Sequence, residues 1–227
     1  ARPGIYWQLY DYYKQPNAAY YGVKKANAPV QLIYDYYQKA VYAVNETLET
    51  ANLKASMKLL RSGNTIDDAK QIEIAAGTST KVFDVDLADA PAAFLFLKLA
   101  NDKGSEVVTN EYFIPAGKDV YDWSKTTWVN TPITQYASYA MLDDMCTTNV
   151  ELSVKPNGND FEATVSNKTD KVAFMIRLTA KDEQGQLICP AYWSDNYFSL
   201  APGETRTVTC RMSSPTDKTK VKIEVSK

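Results

Sequence analysis

What most constrains this chain is an alternation of short apolar runs with turn residues that begins at Val30 and is still present at Val225. The stretch before Met212 shows it best. Val208, Cys210 and Met212 alternate with Thr207, Thr209 and Arg211, the period of a strand with one buried face. Ahead of it Ser194, Asp195 and Asn196 are residues that bond their own backbone in turns. Pro202-Gly203 makes a second turn, so 197–200 is fenced into a short strand.

Candidate strands at 30–34, 40–45, 53–60, 71–74, 80–85, 94–99 and 107–113 fall within about 85 residues, the pattern of an immunoglobulin-like sandwich. A second set at 150–154, 161–165, 172–179, 186–189, 197–200, 205–212 and 221–225 predicts another. In it Val172, Phe174, Ile176 and Leu178 are expected to share one face, as are Val221, Ile223 and Val225. Each such side chain contributes about 1.5–3 kcal/mol when fully buried. The cysteine and tryptophan spacing of antibody domains is missing, so only the architecture is predicted.

The two sets read as a weak tandem repeat. Val44-Asn45-Glu46-Thr47 answers Val165-Ser166-Asn167-Lys168-Thr169, and Ala76-Gly77-Thr78-Ser79-Thr80 answers Pro202-Gly203-Glu204-Thr205-Arg206. The expected division is a helical segment at 1–28, sandwiches at 29–114 and 149–227, and between them an aromatic connector at 115–148 with a helical turn near 135–142. In the first segment Trp7, Tyr10 and Tyr13 fall on one helical face until Pro16 interrupts. Asn17 then suits an N-cap for a helix over 18–26, with Lys24 and Lys25 in the last turn, where the dipole favours cations.

With 227 residues the chain has room for two domains of about 100 residues each. A formal net charge of −2 provides no basic field, which argues against a nucleic-acid partner. No apolar run reaches the roughly 18 residues of a membrane span. Residues 1–7 lack the apolar core of a signal peptide, and the start reads as a cut inside a longer protein. Histidine is absent, which removes the commonest general base and metal ligand. Cys146, Cys189 and Cys210 match no zinc spacing. A Cys189–Cys210 bridge and three small buried hydrophobes are the two readings, the second preferred.

A glycosidase needs two carboxylates across the scissile bond. Asp67-Asp68, Asp84 with Asp86, Asp143-Asp144 and Asp182-Glu183 fall in expected turns or on solvated strand faces, so none is assigned a catalytic role. Asp195, among aromatics, is expected to bond the backbone of its own turn. Asn45-Glu46-Thr47 and Asn167-Lys168-Thr169 have the form of glycosylation acceptors, but their matched positions in the repeat favour turns. Trp123, Trp128, Tyr192 and Trp193 fit either a sugar-stacking platform or an interface seal. Without an isolated stripe, the interface is preferred.

Three segments together resemble the C-terminal part of glycoside hydrolase family 2 enzymes of the exo-β-D-glucosaminidase and β-mannosidase branch. Residues 3–28, with Trp7-Gln8-Leu9-Tyr10-Asp11-Tyr12-Tyr13, look like the loop and last helix that close that family's catalytic (β/α)8 barrel. Asp122-Trp123-Ser124-Lys125, Trp128 and Thr131-Pro132 look like its connector, and Tyr192 to Leu200 with Pro202-Gly203-Glu204 looks like its terminal immunoglobulin-like domain. The resemblance implies a retaining parent enzyme acting on oligo- or polysaccharide, periplasmic or extracellular, with its two catalytic glutamates in the barrel. No glutamate precedes Glu46, so neither is carried over. The chain is expected to supply no catalytic, cofactor-binding or metal residue, to need no cofactor, and to have the catalytic barrel of its own parent chain as partner. The alternative is a pair of sandwiches with glycan affinity of their own. Self-association through 1–28 is expected if a second copy covers its tyrosines.

Overall fold

The structure, a computed structural model, describes residues 8–61, 63–88, 92–115, 117–147, 149–157, 160–212 and 220–226. Trp7 and the rest of 1–7 lie outside the described residues. The chain divides into two compact units, Ala28–Met145 and one in which the described part of Ala1–Asn27 joins Cys146–Lys227. No helix among the described residues is long and apolar enough to cross a membrane.

The unit Ala28–Met145 is built on β1 (Val30–Asp35), β2 (Ala40–Asn45), β3 (Ala51–Arg61), β4 (Asn64–Ile74), β5 (Thr78–Asp84), β6 (Ala93–Ala100) and β7 (Glu106–Ile114). One sheet runs β1-β2-β5 and the other β4-β3-β6-β7. Their facing sides bury Leu32, Val41 and Ala43 with Leu59, Leu95, Leu97 and Leu99, the two-layer arrangement that the alternation demands. Strand β4 is longer than the sequence suggests, because it pairs with β3 along its whole length. Asp67 and Asp68, expected in a turn, therefore lie in an exposed strand.

The connector holds a small hairpin, β8 (Val120–Tyr121) with β9 (Ile133–Gln135), and a 3-10 turn at Trp123–Lys125 capped by Asp122. The expected helical turn is displaced. It is α2 (Ala140–Met145), which takes Asp143 and Asp144 out of a turn and into a helix, while 133–135 is extended.

The other unit opens with a loop rather than a helix. The Asp11 carboxylate accepts from the N–H of Tyr13 and of Gln15, and such side-chain bonds compete with helix formation. Lys14 follows at φ 63°. The helix α1 (Ala18–Ala26) starts where expected, with Asn17 accepting from the Tyr20 N–H and both lysines in the last turn.

The sandwich of this unit comprises β10 (Cys146–Thr147), β11 (Glu151–Asn157), β12 (Asp160–Ser166), β13 (Val172–Lys181), β14 (Ala191–Trp193), β15 (Phe198–Leu200), β16 (Thr205–Met212) and β17 (Lys222–Ser226). One sheet runs β11-β12-β16-β14, and the other centres on β13, which pairs with β10, β15 and β17. Its core includes Phe161, Val165, Leu178, Phe198, Leu200, Val208 and Tyr21 of α1.

Two expectations fail here. The 186–189 segment is no strand. After the turn at Gly185 only Leu187 bridges to Lys181, and pairing resumes past Pro190, which has no N–H to give. Nor does β13 keep one face: a bulge between Ala173 and Ile176 places Met175 at φ 49°. The extra residue puts Ala173, rather than Phe174, in the core beside Ile176 and Leu178.

Candidate functional site

Two places concentrate buried polar groups, and the first occurs twice. At the end of β2, Asn45 is 1 % exposed. Its Nδ2 donates to the carbonyls of Glu49, Ile74 and Ala75 at 2.8, 3.0 and 3.3 Å. Its Oδ1 accepts from the Thr47 N–H at 3.0 Å and lies 2.7 Å from the Thr47 hydroxyl.

Just after β12, Asn167 is 0 % exposed. Its Nδ2 donates to the carbonyls of Lys171, Leu200 and Ala201 at 2.7, 3.1 and 3.1 Å. Its Oδ1 faces the Thr169 N–H and hydroxyl at 3.1 and 2.8 Å. In both turns the second pair of carbonyls precedes a left-handed glycine, Gly77 at φ 64° and Gly203 at φ 74°, as the repeat in the sequence proposed. The Asn-x-Thr pattern is therefore a turn that stitches one sheet to the other. In the folded chain both acceptor amides are buried and bonded.

The second place is the turn after β14, where α1 meets the sandwich. Asp195 Oδ1 accepts from the Asn196 N–H at 2.9 Å, the self-bonding expected. Its Oδ2 lies 3.3 Å from Lys25 Nζ and 3.2 Å from Arg206 Nη1. Arg206, 6 % exposed, reaches Glu204 at 3.5 Å and sits over the Phe198 ring at 4.8 Å. Lys24 Nζ donates to the Ser194 carbonyl, and Arg177 donates to Gln15 Oε1 at 3.1 Å. Asn196 completes the turn by pairing with the backbone of Leu178, accepting from its N–H at 2.8 Å and donating to its carbonyl at 2.9 Å. The left-handed residue is Tyr197, at φ 56°.

Burial pushes the Tyr21 phenol well up, against a smaller opposing effect of Asn196. Burial also raises the Cys210 thiol to about 12. None of the three cysteines is in a disulfide, Cys189 and Cys146 are half-buried, and the Cys189 thiol is raised mainly by burial. The Cys189–Cys210 bridge does not form, and the reading as small buried groups holds for Cys210.

Chemically this place is a clamp. Both oxygens of Asp195 are taken, and Glu204 is engaged with Arg206 and with the Ala201 N–H. The adjoining cavity, between Gln15, Tyr21, Thr179 and Cys189, has a volume of about 10 Å³, room for one water and no sugar ring. Of the other candidate carboxylates, four are in local bonds, Asp67 with Lys58, Asp84 with Lys81, Asp86 with the Ala88 N–H, and Asp182 with the N–H of Gln184 and Gln186, and Asp68, Asp143, Asp144 and Glu183 are exposed. Among the described residues no group of His, Cys, Asp and Glu could hold a metal ion. The aromatics separate: Trp193 is core at 6 % exposure, Tyr192 lies under Arg211, while Trp123 and Trp128 are 72 % and 97 % exposed.

Sequence reasoning found Asp195 and Asn196 but missed Lys25 and Arg206 as partners. Contacts between residues so far apart in the chain leave no local signal. Of the tyrosines of 8–28, Tyr20 and Tyr21 find a cover that was not expected, while Tyr12 and Tyr13 are 66% and 69% exposed. Tyr21 enters the core of the second sandwich with Tyr20 against it, where packing on the first sandwich was foreseen.

The geometry thus defines a region of immunoglobulin-like β-sandwiches whose buried polar residues are spent on holding the fold. Residues 128–227 match the exo-β-D-glucosaminidase Ig-fold domain, and this part of the chain belongs to that family. Among relatives, the chain is 31% identical over 212 residues to the exo-β-D-glucosaminidase of Arthroderma benhamiae, covering 90% of this chain and 24% of that protein. To that of Amycolatopsis orientalis it is 28% identical, covering 91% of this chain and 21% of the relative. Among solved structures, the exo-chitosanase CsxA of Amycolatopsis orientalis superposes with a TM-score of 0.82 at 27% identity, over 97% of this chain and 28% of that one. A β-D-mannosidase from Dictyoglomus thermophilum, at 21% identity and a TM-score of 0.62, shares the fold. The chain spans about a quarter of the length of the exo-β-D-glucosaminidases it matches.

Proposed function

We propose that this chain is the non-catalytic C-terminal accessory region of a retaining family 2 exo-glycosidase that removes terminal β-linked glucosamine. The observation that carries it is coverage: nine-tenths of the chain aligns with exo-β-D-glucosaminidases while spanning 24% of their length. The chemistry of the chain agrees, since a retaining glycosidase needs two carboxylates about 5–5.5 Å apart in a cleft that admits a sugar. Here the carboxylates named above are bonded into turns, ion pairs and exposed faces. On this reading the catalytic glutamates lie elsewhere in the parent, in its barrel, and α1 is the helix by which that barrel continues into the sandwiches. The parent would act in the periplasm or outside the cell, where a glucosamine polymer is met.

The test is hydrolysis of an aryl β-D-glucosaminide by the parent-length polypeptide and by the 227-residue chain. The reading expects turnover from the first and none above a buffer blank from the second. Turnover by the chain alone, abolished by substituting one of its own carboxylates, contradicts it.

A further inference from the structure

The β8–β9 hairpin carries a surface that its own unit's core does not use. Trp128 is 97 %, Tyr136 73 % and Trp123 72 % exposed, with Val129 also outward. At roughly 150–250 Å² per ring, these three leave about 350–600 Å² of aromatic surface in water. That is in the range of the largest apolar patch of an ordinary soluble monomer, a size at which such a patch is often functional.

The loop is nonetheless tightly built. Asp122 accepts from the Ser124 N–H and pairs with Lys125 at 2.8 Å. The Thr127 N–H donates to the Asn130 carbonyl at 2.8 Å, and the Thr127 hydroxyl accepts from the N–H groups of Val129 and Asn130. Across the base, the Asp122 N–H donates to the Pro132 carbonyl, and Asp119 accepts from the Ala137 N–H at 2.7 Å. The sequence holds two indoles outward on a hydrogen-bonded frame.

The same bonds decide between occupants. A sugar site needs free polar groups to read hydroxyls, and here Asp119, Asp122, Lys125 and Thr127 are already engaged within the loop. Aromatic anchors on a rigid loop with neighbouring valines match the centre of a protein interface. The relatives are about four times as long as this chain, so the polypeptide that would cover the patch exists in proteins of this type. We infer that the hairpin is the docking surface for the remaining part of the same parent polypeptide, with Trp123 and Trp128 inserted into an apolar pocket there. This rests on the reading of the chain as an accessory region.

Hydroxyl-radical footprinting read by mass spectrometry tests it, applied to the 227-residue chain and to the parent-length polypeptide assayed for glucosaminidase activity on the same sample. The inference expects rapid labelling of Trp123, Trp128 and Tyr136 in the chain and several-fold slower labelling in the parent. The double variant Trp123→Ala/Trp128→Ala should keep the chain's circular dichroism, since both side chains are exposed, and should restore fast labelling of Tyr136 in the parent. Equal labelling of both proteins overturns the inference, and the activity reading shows separately whether the accessory role has failed. Saturable fluorescence quenching of the chain by glucosamine oligomers, or a dimer of the chain in light scattering, would also overturn it if lost in the double variant, because the patch would then have another occupant.

Discussion

The turn at Asn45 and the turn at Asn167 solve one problem with the same atoms, yet only the second bears a charge cluster. In each, a buried amide gathers three carbonyls and its oxygen takes the N–H of a threonine two residues on. Beyond the paired glycines the two diverge. Where the first sandwich has Thr78 and Thr80, the second has Glu204 and Arg206, and through Asp195 this pair reaches Lys25 of α1. The shared part makes a sandwich, and the part that differs fastens a helix to one. Asn-x-Thr recurs because an Asx turn needs a short amide followed by a hydroxyl.

The largest effect should come from removing the shared part. Asn45→Asp or Asn167→Asp sets a carboxylate against three carbonyls, at a cost on the order of 3–5 kcal/mol. Hydrogen exchange resolved by peptide should show each substitution weakening its own sandwich by a similar amount. A large loss at one position and none at the other breaks the equivalence.

Next is the turn present only in the second unit. Asn196→Val removes both bonds to the Leu178 backbone and leaves those groups buried, at about 1–3 kcal/mol. Unchanged urea unfolding of the second sandwich would show that water takes its place.

Smaller still is the helix tie. Lys25→Ala loses a pair whose side chains are 17% and 18% exposed, and should cost on the order of 0.5–1 kcal/mol. Faster proteolysis within α1, with β12 and β16 unchanged, is the expected pattern. Uniform loosening of the sandwich would mean that the charges serve the sheets instead.

The smallest effect appears only in acid. Lys181 first, then Lys222, hold the Glu224 carboxyl down to about 2 from an ordinary 4.5. A folded value below the unfolded one contributes stability above pH 4.5 that is lost as pH falls toward 2. Glu224→Gln should flatten that acid limb in the second sandwich and leave the first untouched, as pH titrations of exchange rates would read.

Strand positions were legible wherever one face is buried: β2 and β16 fall on their expected bounds because Ala40–Asn45 and Thr205–Met212 carry buried residues at intervals along their length. Legibility failed where pairing rather than burial sets the structure. Edge strand β4 is exposed along much of its length, and the bulge at Met175 is a backbone event. The loop at 8–16 turned on one side chain, Asp11, bonding its own backbone. Of the clamp, the turn residues were visible through Asx chemistry, while its cations came from distant segments. The exposure of Trp128 was out of reach, since an outward and an inward tryptophan read alike in a sequence.

One buried-amide turn in each sandwich can be tested without changing anything in the protein. Solvent exchange of the side-chain amide protons of Asn45 and Asn167 is read in nitrogen-15 NMR spectra of the intact chain. The account predicts slow exchange and strong protection for both, well separated from exposed asparagines such as Asn64. Rapid exchange at either residue would mean that its amide is open to water, and the equivalence of the two turns would be lost.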